Sequence, residues 1–506
     1  MFYNQLRTFK APLILVLGAT FLFLLFQLTR PLQQPLYFPE TSPIPSPLHP
    51  KVAVFSGYAK EAVEKEEDYL PPRPDYAEQD LEALLRGNED FAQGDECSSF
   101  PRFENIEFQN PHFQHVQHEN LSYYLYGAYY DRRPTVPEVM VLVMVTTCTG
   151  PYPATHLRMW FEGDTRPELA ILHQTKLAWY VTWGNAEGLA YPTLLTFRMQ
   201  SARIPQLVSL VLGNTCAVPQ NALKVFQPPA EEEEEKEAAR PNPRLRTGVC
   251  VKFLRFPDSD MSERLVEWLE LMRLLGAGRI TAYDIGELHP NTSRTLAHYT
   301  RSRDGLLDLR KFQFLNDTKG YLPLKMAEVL LYNDCLYRSL YDFDFVAVMD
   351  VDEVIMPLGE NRNWPDLLED LQAEDVNCTA RCGYCFQNVY FPKELAADET
   401  IPEHFYMLRH LVRVAKHLNP NLAIKCLHNT AHVTVVHNHF ALDWRDACAP
   451  LGVPIDLGQL QHYRHVDNAK TLEDPPPKQD DNIRRFQHQL IHNSMAIHRQ
   501  LGWGAY

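Results

Sequence analysis

Three carboxylates stand together at Asp350-Val351-Asp352-Glu353, directly behind the apolar run Phe343–Met349 and directly ahead of Val354-Ile355-Met356. Carboxylates in so dry a setting cannot stay ionised without a compensating partner, usually a cation. Strand side chains alternate, so Asp350 and Asp352 are expected on one side. Two hard oxygen ligands on one side suit manganese or magnesium, and such an ion can also hold a diphosphate. Asp350, Asp352 and Glu353 are therefore the candidate catalytic residues, with Asp352 and Asp350 as metal ligands.

Other segments carry groups that could serve the same site. Asn333-Asp334-Cys335-Leu336-Tyr337-Arg338 closes a helix just before the central strand, where Asn333, Asp334 and Arg338 could reach a nucleotide or sugar. His437-Asn438-His439 follows a strand-like run, Thr434–Val436, and either histidine could complete the metal site. In His462-Tyr463-Arg464 the arginine could neutralise phosphate. Asp398, Glu399, Glu403 and Asp443 are candidate bases, and spacing does not choose among them. Cys378, Cys382 and Cys385 fit the three-cysteine pattern of radical S-adenosylmethionine enzymes and part of a zinc pattern. Disulfides account for them better in an oxidising compartment.

The elements that must position these groups differ between the two halves. Tyr76–Phe91 has Leu81, Leu84 and Leu85 on one side of a short helix. Residues 97–226 then read as a β-rich, sandwich-like domain, with strands at 139–146, 157–161, 178–183, 194–199 and 207–212. Cys148 and Cys216 are its disulfide candidates. Residues 227–246 form an acidic Pro/Glu linker. Strands at 249–254, 280–283, 306–312 and 343–349 alternate with helices opening near Asp260 and covering 293–300 and 323–341. That order predicts an α/β fold with a doubly wound, mainly parallel sheet. Ligands bind such sheets beyond the carboxyl ends of the strands, where Asp350–Glu353 lies.

The 506 residues carry a net charge of -16, which argues against a nucleic-acid surface. Arg7 and Lys10 precede the uncharged stretch Ala11–Leu28, about 18 residues, enough to span a bilayer. Charges on that side predict a cytosolic tail over 1–10, a signal anchor over 11–28 and a lumenal remainder with a stem over 29–96. Ten cysteines and the sequons at Asn120, Asn291, Asn316 and Asn377 agree with a lumenal address.

The blocks VCVKFL, LVEWLELMRLLGAGRITAYD, YNDCLYRS, VAVMDVDEVIMP, the HNH segment and QHYRH together resemble glycosyltransferase family 92 over Thr247–Val466. The resemblance implies a GT-A-like fold over residues 247–506, a UDP-sugar donor and manganese held by the Asp-x-Asp motif. It implies Asp352 on the metal, Asp350 on the ribose or on the metal through water, and His437 or His439 opposite. Relatives of this kind are Golgi galactosyltransferases acting on N-glycans, some on core fucose, which implies a type II protein of the Golgi membrane. The rival classes are a non-catalytic lumenal glycan-binding protein and a metal-dependent phosphoesterase.

Overall fold

Short apolar runs separated by amphipathic stretches fold as the alternation predicts in the second half of the chain. The computed structural model describes residues 78–88, 99–164, 166–213, 216–227, 244–315, 320–473 and 475–503. The expected anchor Ala11–Leu28, most of the stem, most of the linker 227–246 and the Asn316 sequon lie outside them. Among the described residues no helix is long and apolar enough to cross a membrane.

Helix α1 (Glu78–Arg86) precedes nine strands: β1 (Phe108–Asn110), β2 (Phe113–His118), β3 (Leu121–Asp131), β4 (Glu138–Val145), β5 (Thr155–Trp160), β6 (Glu168–Leu177), β7 (Tyr191–Arg198), β8 (Leu207–Leu212) and β9 (Leu223–Phe226). They lie in the order β1-β2-β3-β4-β7-β6-β5-β8-β9. β3 is long enough to take β2 along its first half and β9 along its second, at Ala128↔Val225 and Tyr129↔Phe226. The sheet thus closes on itself, in place of the two stacked sheets of a sandwich. The expected strand over 178–183 is instead a loop with a 3-10 turn at Val181–Trp183. Cys216 is disulfide-bonded whereas Cys148 is free, so these two do not pair as expected.

The second sheet grows from β10 (Thr247–Phe256), α2 (Ser262–Leu275), β11 (Ala277–Leu288), α3 (Pro290–Arg301), β12 (Leu307–Lys311), α4 (Tyr321–Ser339) and β13 (Phe345–Val348). Its strands β12-β11-β10-β13 are parallel. Gly276, at φ 97°, caps α2 in the left-handed conformation that glycine adopts without steric cost. The chain continues through β14 (Glu353–Pro357), α5 (Trp364–Glu374), β15 (Arg381–Phe386), β16 (Asn388–Tyr390), α6 (Tyr406–Arg409), β17 (Val412–Arg413) and β18 (Lys425–Asn429). It ends with β19 (Val433–Val436), β20 (Ala441–Trp444), β21 (Ala449–Gly452), β22 (Gly458–His462), β23 (Lys478–Gln479) and α7 (Gln487–Gln500). β18 lies antiparallel between β13 and β15, and β14, β22 and β16 form a small separate sheet.

One face of the main sheet buries Val249, Val251 and Phe345 against Trp268, Leu271 and Trp364. The other face buries Cys250, Val346 and Val348 against α4, and α4 meets Tyr129, Met140 and Leu142 of the first sheet. Every residue of α4 from Met326 to Ser339 is buried, as befits a helix covered on all sides. Cys250–Cys335 ties β10 to α4, and Cys385–Cys426 ties β15 to β18.

Candidate functional site

The chain leaves β13 with Met349, whose N–H donates to the Cys250 carbonyl at 3.0 Å, and then turns. The Glu353 N–H donates to the Asp350 carbonyl at 3.0 Å, and Glu353 Oε2 accepts from the Asp350 N–H at 2.9 Å. Asp350 and Asp352 are therefore displayed by this closed turn rather than by strand alternation. They face different partners. Asp350 Oδ1 lies 2.9 Å from Lys252 Nζ of β10, and its Oδ2 lies 3.7 Å from Lys425 Nζ of β18. Lys425 is fully buried and also pairs with Glu353 Oε2 at 2.9 Å. Lys252 extends to Glu328 of α4 at 3.6 Å.

The cations that the sequence demanded are thus in part lysines. Burial works against the charge on Asp350, but Lys425 and Lys252 together hold its carboxyl well below the usual carboxylate range. For Glu353 burial prevails, so its carboxyl is pushed up despite Lys425. A buried pair of this kind is held by mutual compensation, and removing one member exposes the cost of the other.

Asp352 is turned away from the lysines. Its side chain is 32% exposed, and its Oδ2 lies 3.6 Å from Nε2 of His462, the last residue of β22. The antiparallel register Glu353↔His462 fixes that approach. Asn388 Nδ2 stands 3.2 Å from His462 Nδ1, and Tyr390 lies beside the ring. The Asp352–His462 separation is that of two ligands around one small divalent ion. Among the described residues no three His, Cys, Asp or Glu side chains converge into a metal group. Two protein ligands nevertheless suit an ion of the magnesium class, which usually takes its remaining positions from phosphate oxygens and water.

The expected set Asp350, Asp352, His437 and His439 is not assembled. His437 lies against Trp183, with ring centroids 4.4 Å apart, and burial, with His439 and Lys425 nearby, holds it neutral well below its ordinary range. His439 Nδ1 is 3.2 Å from the Ile424 carbonyl, and burial and Lys425 lower it to about 3. Between them, Asn438 Oδ1 accepts from Lys425 Nζ and from the Tyr332 hydroxyl. The HNH turn serves the site through its asparagine, which fixes a lysine.

The helix residues expected at the nucleotide are committed elsewhere, to β19, to β11, to the first sheet and to one another. Asn333 donates to Val436 O at 2.9 Å and accepts from the Val436 N–H at 2.9 Å, which holds β19 in place. Asp334 is wholly buried and accepts from Tyr129, from Tyr283 at 2.6 Å and from Arg338 Nε at 2.9 Å. Of the candidate bases, Asp398 is bound to Arg484 and Thr400, and Asp443 pairs with Lys176 at 2.5 Å. Glu399 and Glu403 are exposed. Cys385 is bonded to Cys426, so the three cysteines make no cluster site. Cys378 and Cys382 are free, which departs from the expectation of bridges at all three. The sequon residues Asn120, Asn291 and Asn377 are exposed.

Lys252, Lys425 and Asn388 belong to no motif that marks them as site residues in the sequence. Each lysine interrupts an apolar strand, in VCVKFL and AIKCL, and a charge there is itself the signal of a buried partner.

A carboxylate turn beyond a parallel sheet, with ammonium groups and an Asp–His pair, is chemistry for holding a diphosphate. The family model for glycosyltransferase family 92 matches residues 246–499. The chain belongs to glycosyltransferase family 92. No curated protein matches it. Among solved structures it is similar to an active-site mutant of LgtC, at 12% identity and TM-score 0.18, over 36% of this chain and 57% of that one. It is also similar to the galactosyltransferase LgtC with donor and acceptor sugar analogs, at 12% identity and TM-score 0.19, over 36% of this chain and 58% of that one. A third is glucosyl-3-phosphoglycerate synthase from Mycobacterium tuberculosis with Mg2+ and UDP, at 13% identity and TM-score 0.21, over 53% and 82%. The match thus spans little more than half the length of the LgtC chains, and these likenesses carry no argument about substrate.

Proposed function

We propose that this family 92 enzyme transfers a hexose, galactose from UDP-galactose, to a hydroxyl of a glycan acceptor such as fucose or another sugar of an N-glycan. The observation that carries the reading is the pairing of Asp352 with His462 beside a lysine-compensated Asp350. Asp352 and His462 would hold a manganese or magnesium ion, which when bound supplies Lewis-acid stabilisation of the departing diphosphate. Lys252, partly open to solvent, is a second positive group placed to meet phosphate charge as the sugar–oxygen bond breaks. Asp350 orients that ammonium, and Asn388 positions the His462 ring. The turn hydrogen bonds between Asp350 and Glu353 keep the carboxylates in place before substrate arrives, so little reorganisation is required.

The address we propose is the Golgi lumen, with Ala11–Leu28 as a type II anchor, supported by Arg7 and Lys10 ahead of it and the sequons behind. Protease digestion of sealed microsomes should leave the glycosylated bulk protected, and a carboxyl end open to the cytosol refutes the topology. For the activity, full-length protein in detergent is given manganese and a panel of UDP-sugars with N-glycan acceptors. Transfer from UDP-galactose supports the proposal, and transfer from a different donor with none from UDP-galactose overturns the donor assignment.

A further inference from the structure

The closed β-sheet has no part in the reading so far, yet one of its loops packs on His437 of the HNH turn, whose Asn438 holds Lys425. Between β6 and β7 the chain passes through Trp179, Tyr180 and Trp183. The Trp183 ring meets Trp179 at 5.3 Å and Tyr180 at 4.6 Å, both edge-on, and lies over His437 at 4.4 Å with 36° between the planes. His437 directly precedes Asn438, which holds Lys425, which in turn pairs with Glu353. The HNH turn and Lys425 thus link this aromatic group to the carboxylate turn.

The loop is held rigidly. Trp179 Nε1 donates to the Gly184 carbonyl at 3.0 Å, and the Tyr191 hydroxyl donates to Asn185 Oδ1 at 2.7 Å. Gly184, at φ 141°, lies so close to Leu322 of α4 that a Cβ there would stand 2.7 Å from its methyl carbons. Packing between the two sheets accounts for Trp179, which is buried. It does not account for Tyr180 and Val181, which are 43% and 40% exposed although the loop around them is fixed. Thr182, Asn185 and Glu187 beside them are exposed and polar.

A pre-ordered aromatic surface with polar neighbours suits a pyranose ring. The C–H face of the sugar stacks on the ring, the hydroxyls find polar partners, and little conformational entropy is lost because the protein side is already ordered. We propose that Tyr180 and Trp183 form an acceptor subsite that stacks one pyranose ring of the glycan whose hydroxyl is glycosylated. The inference rests on the sugar-transfer reading above and gives the β-rich unit a part in acceptor choice.

The test uses full-length protein in detergent, UDP-galactose with manganese, and a free fucosylated biantennary N-glycan. Two quantities are read: the acceptor KM, and quenching of tryptophan fluorescence as the glycan is titrated. Tyr180→Ala, at an exposed position away from His437, should raise the acceptor KM about tenfold and move the donor KM less than twofold. Trp183→Ala should do at least as much and abolish the quench, and Trp183→Phe should recover part of the loss. Ile171→Ala, at a 71% exposed site elsewhere on the same sheet, should leave the acceptor KM unmoved. If both alanine variants keep the wild-type acceptor KM while transfer proceeds, the subsite is wrong and the transferase reading stands. If wild-type protein shows the quench but transfers galactose to nothing, the subsite stands and the donor reading fails. Absence of both quench and transfer in the wild type overturns the subsite.

Discussion

Replacing Lys425 with methionine removes the ammonium that two carboxylates share, without changing side-chain length much. Lys425 Nζ lies 2.9 Å from Glu353 Oε2 and 3.7 Å from Asp350 Oδ2, and none of its surface is exposed. At an effective dielectric of about 20, the closer pair alone is worth ~6 kcal/mol of Coulomb attraction. The desolvation of three buried charges offsets much of this, and breaking such a pair from one side typically costs about 3–5 kcal/mol. Asp350 keeps Lys252, so the uncompensated group is Glu353, whose carboxyl is already pushed up by burial. Without Lys425 it rises further, and the protein escapes part of the cost by protonating it. A folded-state value above the unfolded one means stability is retained at low pH and lost as pH rises through the window between the two. Urea unfolding in EDTA should therefore show Lys425→Met about 3–5 kcal/mol below wild type at pH 7.5, with a smaller deficit at pH 5.5. The double variant Lys425→Met/Glu353→Gln should recover most of the difference. A pH-independent deficit below about 1 kcal/mol would show that Lys425 does not compensate the turn.

Two further outcomes follow from buried carboxylates away from the turn. Glu267 accepts from the backbone N–H groups of Met407 and Leu408, each at 2.9 Å, and burial pushes its carboxyl up to about 7. It should cost the protein up to ~3 kcal/mol as pH rises from about 4.5 towards 7, and Glu267→Gln should remove that part of the slope in pH-dependent unfolding. Asp334→Ala should destabilise by about 3–5 kcal/mol, since it removes the buried acceptor shared by Tyr129, Tyr283 and Arg338, and near-UV circular dichroism should report loosening around Tyr129 and Tyr283. An Asp334→Ala protein within about 1 kcal/mol of wild type would mean that the two sheets are not held through this residue.

Much of the catalytic half is legible because local patterns and tertiary demands coincide there. The strands β10, β11 and β13 lie in a sheet buried on both faces, so short and mostly apolar runs mark them, with Lys252 the exception in β10. The first half reads less well. β3, LSYYLYGAYYD, owes its place to pairing with three other strands, and its tyrosines give no clean alternation. Trp179 and Trp183 look like strand residues and are loop anchors instead. The polar residues of α4 are hard to place for a related reason. A helix read by itself offers Asn333, Asp334 and Arg338 to a ligand, whereas Tyr129 of the covering sheet, some two hundred positions earlier, and Val436 of β19, about a hundred later, turn Asp334 and Asn333 into internal ties. The site shows the same division. Asp350, Asp352 and Glu353 announce themselves by their dry surroundings, but their partners Lys252, Lys425 and His462 come from three other strands. Spacing cannot tell which of several histidines meets Asp352, because strand register β14↔β22 decides it.

The most direct measurement is the shift in melting temperature that manganese plus UDP produces in wild-type protein and in Asp352→Asn. The substitution keeps shape and hydrogen-bonding capacity but deletes the charge facing His462. A ligand pair that binds the folded state alone at about 100 times its Kd stabilises it by ~2.7 kcal/mol, so wild-type melting should rise by a few degrees. Asp352→Asn should start at or slightly above the wild-type melting temperature without ligands, lose most of the shift with them, and transfer no sugar. An Asp352→Asn protein that gains as much as wild type from manganese plus UDP, and still transfers sugar at the wild-type rate, contradicts the assignment of Asp352 to the metal.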